Sequence, residues 1–102
     1  MTQFTEEVLV IIKRIPYGRV MSYGQVARFA GNNRGARQVA RILHSMTEKY
    51  ELPWHRIINS KGRISITDAR YAAIQRELLI SEGVEVSEEG YVDISIYGIS
   101  LY

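Results

Sequence analysis

Side chains able to do chemistry are few in this chain: two histidines, one tryptophan, seven tyrosines and no cysteine. Pro53, Trp54, His55 and Arg56 stand together in Leu52-Pro53-Trp54-His55-Arg56-Ile57-Ile58. Proline fixes one backbone dihedral and biases Leu52 toward extended geometry, so Trp54 and His55 are expected at a rigid turn that leads into an apolar strand, Ile57-Ile58. An indole offers a donor N–H and no nucleophilic lone pair, which removes Trp54 as a nucleophile. His55 and Glu82 are the pair that a residual enzyme, a transferase or a nuclease, would use; a histidine after Pro-Trp serves equally well as a satisfied core residue. The lack of cysteine excludes disulfides, thiolate nucleophiles and cysteine-ligated zinc, and His44 and His55 are a poor basis for a metal site, so neither metal nor cofactor is expected.

A second group is basic. Arg34, Arg37 and Arg41 are spaced by three and four residues and share one face of a helix, which suits phosphates or, on a blander reading, is solvated surface with good helix propensity. Tyr23 falls near a helix N-terminus, where a phenol can donate to a phosphate and press on a backbone, or simply pack its ring with a wet hydroxyl.

The elements that must carry these residues follow from periodicity and capping. Thr2 can cap a helix running through Arg14, with Phe4, Val8, Ile11 or Ile12, and Ile15 as its buried stripe. Ile15-Pro16-Tyr17-Gly18-Arg19 reads as a turn and Val20-Met21 as a short extended link. Ser22-Tyr23-Gly24-Gln25 fits a capping box for a short helix that stops at Gly31. A third helix begins near Gly35, with Ala36, Val39, Ala40 and Leu43 at helical spacing. Two short helices joined by a glycine-containing turn outline a helix-turn-helix. Residues 44 to 52 read as a polar connection. Ile57-Ile58 and Ile64-Ser65-Ile66 flank Asn59-Ser60-Lys61-Gly62-Arg63 as a β-hairpin, the wing of a winged helix. Thr67 or Asp68 caps a fourth helix with Tyr71, Ile74 and Leu78 inward, Glu82 at its end and Gly83 as its exit. The tail from Val84 to Tyr102, with Val92, Ile94 and Ile96, is expected to lie extended over the core.

At 102 residues, with 46% hydrophobic and 24% charged content, the chain has the composition of one small globular domain. No apolar run approaches the roughly 20 residues of a membrane span, and a basic region followed by an apolar core is missing from the N-terminus. The net charge of +2 hides an asymmetry: residues 1 to 63 hold 11 Lys/Arg against 4 Asp/Glu, residues 64 to 102 hold 2 against 7. The first part is the one suited to a polyanion.

Pro53-Trp54-His55-Arg56-Ile57 resembles the Pro-Cys-His-Arg-Val active-site segment of the O6-alkylguanine-DNA alkyltransferases, with tryptophan where that family carries its alkyl-accepting cysteine. The replacement is similar to that of the alkyltransferase-like proteins, and the resemblance spans roughly residues 4 to 83. It implies a mainly α fold with a small β-hairpin, a winged helix-turn-helix DNA-binding domain like the C-terminal domain of those enzymes. On the same resemblance, Tyr23 is the counterpart of the tyrosine that pushes on the target nucleotide's phosphate. Gly35-Ala36-Arg37-Gln38-Val39 is similar to the recognition helix, whose small residues permit close approach and whose arginine replaces the extruded guanine in the stack; Arg34 and Arg41 flank it. Arginine suits that task because its flat guanidinium stacks and stays charged. His55 and Glu82 match the hydrogen-bond chain that activates the cysteine, here with nothing to deprotonate, which leaves them a structural role.

Two departures stand out. The family's hinge asparagine falls on Met46, and its Gly-Gly segment becomes Asp68-Ala69-Arg70-Tyr71, placing Arg70 at the rim of a lesion pocket with Tyr23, Pro53 and Trp54. Arg70 can stack on a flipped base or pair with Glu82 or Asp68. The function implied is non-enzymatic recognition of O6-alkylguanine in duplex DNA by base flipping, as a monomer, with handover to nucleotide excision repair, in bacteria through UvrA. The expected location is the cytoplasm, or the nucleus in a eukaryote. A sequence-reading winged-helix regulator, with Arg37 against guanine in the major groove, and a residual alkyltransferase-type enzyme are the alternatives.

Overall fold

A computed structural model describes residues 1–99. Helix α1 (Gln3–Lys13) is capped by Thr2, whose hydroxyl accepts from the Thr5 amide, and it buries Val8, Leu9 and Ile12. Of the two candidates for its stripe, Ile12 is the buried one and Ile11 is half-buried. The chain turns at Gly18, whose φ of 81° is left-handed. It then forms β1 (Met21–Ser22) and enters α2 (Tyr23–Phe29). Ser22 caps α2 by accepting from the Gln25 amide at 3.0 Å. Only half of the expected capping box is present, because the Gln25 side chain donates to the Ile99 carbonyl.

Helix α3 (Ala36–Tyr50) is longer than its sequence suggests: residues 44 to 50, expected as a polar connection, are helical. Met46 and Tyr50 extend the apolar stripe begun by Val39, Ile42 and Leu43, and all five pack into one core. The helix stops at Glu51, which takes the left-handed conformation at φ 52°. A one-turn 3-10 helix (Trp54–Arg56) then leads into β2 (Ile57–Ile58).

The expected β-hairpin is replaced by a parallel pair, in which Met21 aligns with Ile57 and Ser22 with Ile58. Asn59 to Arg63 does turn tightly, with the Asn59 side chain accepting from the Lys61 and Arg63 amides. The chain leaving that turn does not come back along β2. Ile64 instead donates to Gly90, and Arg63 bridges Tyr91, because Ile58, Val84, Val86 and Val92 form a second apolar cluster that draws Ile64 to it. The mostly helical class with a small sheet and a helix-turn-helix is what the chain adopts.

Helix α4 (Ala69–Ser81) is capped by Asp68. Its inner face is rotated by one residue from the expected one. Gln75 and Leu79 are buried, whereas Tyr71, Ile74 and Leu78 are 53%, 43% and 36% exposed. Apolar residues surround this helix, so spacing alone supports two faces, and hydrogen bonds made by Gln75 select between them. In the tail, Val84, Val86 and Val92 are buried as a covering segment would require, but Ile94–Tyr97 is a short helix, α5, with Ile94 and Ile96 exposed. The tail's last three residues lie outside the described ones.

The two cores meet along the sheet. Successive side chains of a strand point to opposite faces, so Ile57 joins the cluster of α1, α2 and α3 while Ile58 joins that of α4 and the tail.

Candidate nucleic-acid interface

The arginine face is built by the α2–α3 junction. Asn32 organises the turn, its side chain accepting from the Arg34 amide and its carbonyl from the Gly35 amide. Gly35 is buried, and a Cβ there would lie 2.8 Å from the Phe4 ring. Its small size is therefore demanded by packing within the protein, whatever approaches from outside. Arg34, Arg37, Gln38 and Arg41 are all exposed and Ala36 is half-buried. Among the described residues, none of the three guanidinium groups has a carboxylate partner. The start of α3 has no side-chain cap and no acidic residue in its first turn, so its free amides and dipole add to the positive field.

Tyr23 is the first residue of α2 and is half-buried against the first core. Burial pushes its phenol pKa up, with the Ser65 hydroxyl acting in the opposite sense, so the group remains a neutral donor.

Trp54 sits half-buried on the 3-10 turn, edge-on to His55 and to Tyr71, with ring centroids 6.3 Å away in both cases. The two neighbouring side chains point to another task. His55 Nε2 lies 2.6 Å from Glu82 Oε2, and Arg56 donates to both Glu82 oxygens. Glu82 also accepts from the Gly18 amide at 2.8 Å, while Arg56 reaches the Ile15 carbonyl at 2.9 Å. One carboxylate thus ties the 3-10 turn, the end of α4 and the turn after α1 together. Its own burial opposes the charge, but Arg56, the Gly18 amide and His55 together hold its pKa at about 2. The His55–Glu82 contact expected from the sequence is present, and its geometry is that of a clamp.

Arg70 makes its ion pair with Asp68, at 3.5 Å, rather than with Glu82, and its side chain is 84% exposed. Sequence reasoning missed four participants: Arg56, Gly18, Tyr71 and Gln75. Arg56 was visible in the motif but had no assigned partner. Helical spacing alone turns Tyr71 inward, whereas it is 53% exposed. Gln75 donates from Nε2 to the carbonyls of His55 and Ile57, at 3.1 and 2.8 Å. A lone amide flanked by Ile74 and Leu79 was the signal available for it.

The model of the 6-O-methylguanine DNA methyltransferase DNA-binding domain matches residues 3–84. A DNA base-flipping protein of Escherichia coli is 44% identical over 94 residues, covering 92% of this chain and 72% of that protein. Alkyltransferase-like protein 1 of Schizosaccharomyces pombe is 39% identical over 87 residues, covering 84% and 81%. The crystal structure of S. pombe Atl1 in complex with damaged DNA containing O6-carboxymethylguanine superposes with a TM-score of 0.89 at 34% identity, covering 99% of this chain and 98% of that one. With its helix-turn-helix, its exposed arginine face and its His–Glu contact beside a tryptophan, the chain belongs to the family of the 6-O-methylguanine DNA methyltransferase DNA-binding domain.

Proposed function

We propose that this protein recognises O6-alkylguanine in duplex DNA without repairing it. Helix α3 engages the minor groove, Arg37 fills the stack vacated by the modified nucleotide, and the extruded base is held beside Trp54, within reach of Tyr23, Pro53 and Arg70. Extrusion costs a few kcal/mol of stacking, less at a damaged pair, and aromatic contact of roughly 1–3 kcal/mol per base offsets it. The observation that carries this reading is a His55–Glu82 contact of 2.6 Å next to Trp54, the residue that by resemblance takes the position of the family's cysteine, so that the contact has no thiol to deprotonate. Relatives described as base-flipping and alkyltransferase-like proteins, and the likeness to a structure holding damaged DNA, support it. Binding then replaces chemistry, and the bound lesion is passed as a monomeric complex to nucleotide excision repair, in a bacterium through UvrA in the cytoplasm, in a eukaryote in the nucleus.

Competition binding with one duplex, carrying or lacking a single O6-methylguanine, tests this. Preference for the lesion with the methyl group still on DNA is the expected result. Methyl transferred to the protein would establish an enzyme, and equal affinity for both duplexes with preference for one sequence would establish a regulator.

A further inference from the structure

Among the described residues, Gln75 is the one polar side chain in the buried core, 1% exposed and seated on α4 directly under the 3-10 turn. Both of its partners are carbonyl oxygens, so its nitrogen must face them, and the assignment of the amide does not depend on an arbitrary choice. Its oxygen is then left buried with no hydrogen-bond partner among the described residues. Leaving an acceptor unpaired in a dry interior is destabilising, a cost set against the two carbonyls that the amide nitrogen satisfies.

What the amide does is hold a backbone. Within the 3-10 turn, the Trp54 carbonyl accepts from the Ile57 amide and the Pro53 carbonyl from the Arg56 amide. The carbonyls of His55 and Ile57 are the ones Gln75 takes, one on the turn and one on β2. Glu82, seven residues further on, caps the end of α4 and secures the same turn through the side chains of His55 and Arg56. The turn is therefore fixed twice from one helix, by its backbone at Gln75 and by its side chains at Glu82. Trp54 precedes both attachments, and its indole makes no hydrogen bond among the described residues; its direction follows the backbone that Gln75 holds.

We propose that Gln75 is the positioning residue of the base pocket, fixing the backbone that aims the Trp54 indole at a flipped base. The proposal rests on the role given to Trp54 above and adds what sets its selectivity. The consequence is specific to discrimination: contacts between α3 and the DNA backbone do not pass through Gln75, so its loss blurs the distinction between alkylated and plain guanine while general DNA affinity persists.

The test is the ratio of dissociation constants for plain and O6-methylguanine duplexes, measured for the wild type and for Gln75→Met and Gln75→Leu. The variants should lose roughly tenfold in that ratio, the scale of one intramolecular hydrogen bond, with affinity for the plain duplex unchanged. An unchanged ratio in a folded variant overturns the proposal, as does an equal loss on both duplexes. Should the variants not fold, the wild type supplies the second measurement. The Gln75 side-chain amide protons should exchange slowly and shift in NMR spectra when the lesion duplex is added and not when the plain one is, and amide signals that respond alike to both duplexes overturn it. A wild type that shows no preference for the lesion would instead remove the reading of Trp54 itself, and this proposal with it.

Discussion

Tyr71 stands edge-on to Trp54, ring centroids 6.3 Å apart and planes at 80°, although Tyr71 is more than half exposed. The tryptophan therefore has a neighbour that solvent or a ligand can reach, and it is the chain's only indole. Adding lesion duplex should change the indole emission strongly, and plain duplex should change it less at matched occupancy. With Tyr71→Ala the response should persist but the lesion affinity fall by about 1 kcal/mol, the value of one aromatic edge contact. Emission that responds alike to both duplexes would place Trp54 in the sealed core.

Arg37→Ala should weaken lesion binding by on the order of 1–3 kcal/mol, and Arg14→Ala by far less. Arg37 is exposed, without a carboxylate partner among the described residues, on the uncapped start of α3, whereas Arg14 caps the far end of α1. Affinity should fall with salt at a slope of about −0.9 per phosphate contact. Equal binding by wild type and Arg37→Ala in a titration followed by anisotropy would discard the minor-groove arrangement.

Glu82 gives the fold an acid limit. Its carboxyl is held at about 2 against an ordinary value of 4.5, so the folded state favours the ionised form. The stability this contributes is complete above pH 4.5 and is lost as the pH falls toward 2. Glu82→Gln should cost about 2 kcal/mol at neutral pH and flatten the acid limb of the stability profile, as measured by urea unfolding across that range. A variant whose profile parallels the wild type's would show that the clamp contributes nothing.

Gly35 and Phe4 form a size-matched pair. Gly35→Ala brings a methyl group to 2.8 Å from the Phe4 ring while its φ of −92° is acceptable to any residue, so the penalty is crowding alone. About 1 kcal/mol of destabilisation is expected, with Phe4→Leu restoring part of it in a double-mutant cycle. Additive effects of the two changes would break the coupling.

Features legible in the sequence were those set by neighbours along the chain. Ser22 and Asp68 cap the helices they precede, Gly83 follows the last helical turn, and the helix-turn-helix emerges from short-range periodicity. The pairing of Ile57-Ile58 was not legible, because a two-residue strand carries no periodicity and its parallel partner lies beyond two helices. The face of α4 was misread because apolar residues line both sides of it, and the deciding contacts are with carbonyls, which have no sequence signature. At the site, the motif disclosed Trp54 and His55, and the family resemblance added Glu82, but neither disclosed the backbone groups of Ile15 and Gly18 that complete the clamp.

The stitching of residues 96–99 onto the start of the helix-turn-helix sets an order of assembly. Arg19 donates to Ile96 across 77 positions and Gln25 to Ile99 across 74, and Val20 exchanges backbone bonds with Tyr97 and Ile99. Contacts among α1, α2 and α3 close only short loops and form quickly, while these closures must await nearly the whole chain. In pulse-labelled hydrogen exchange during refolding, amides of α1 and α3 should gain protection before those of Val20, Ile57 and Leu79. The arginine-bearing helix is then in place as a nascent unit while the aromatic pocket is still open chain, so a folding intermediate would hold DNA before it could tell one guanine from another.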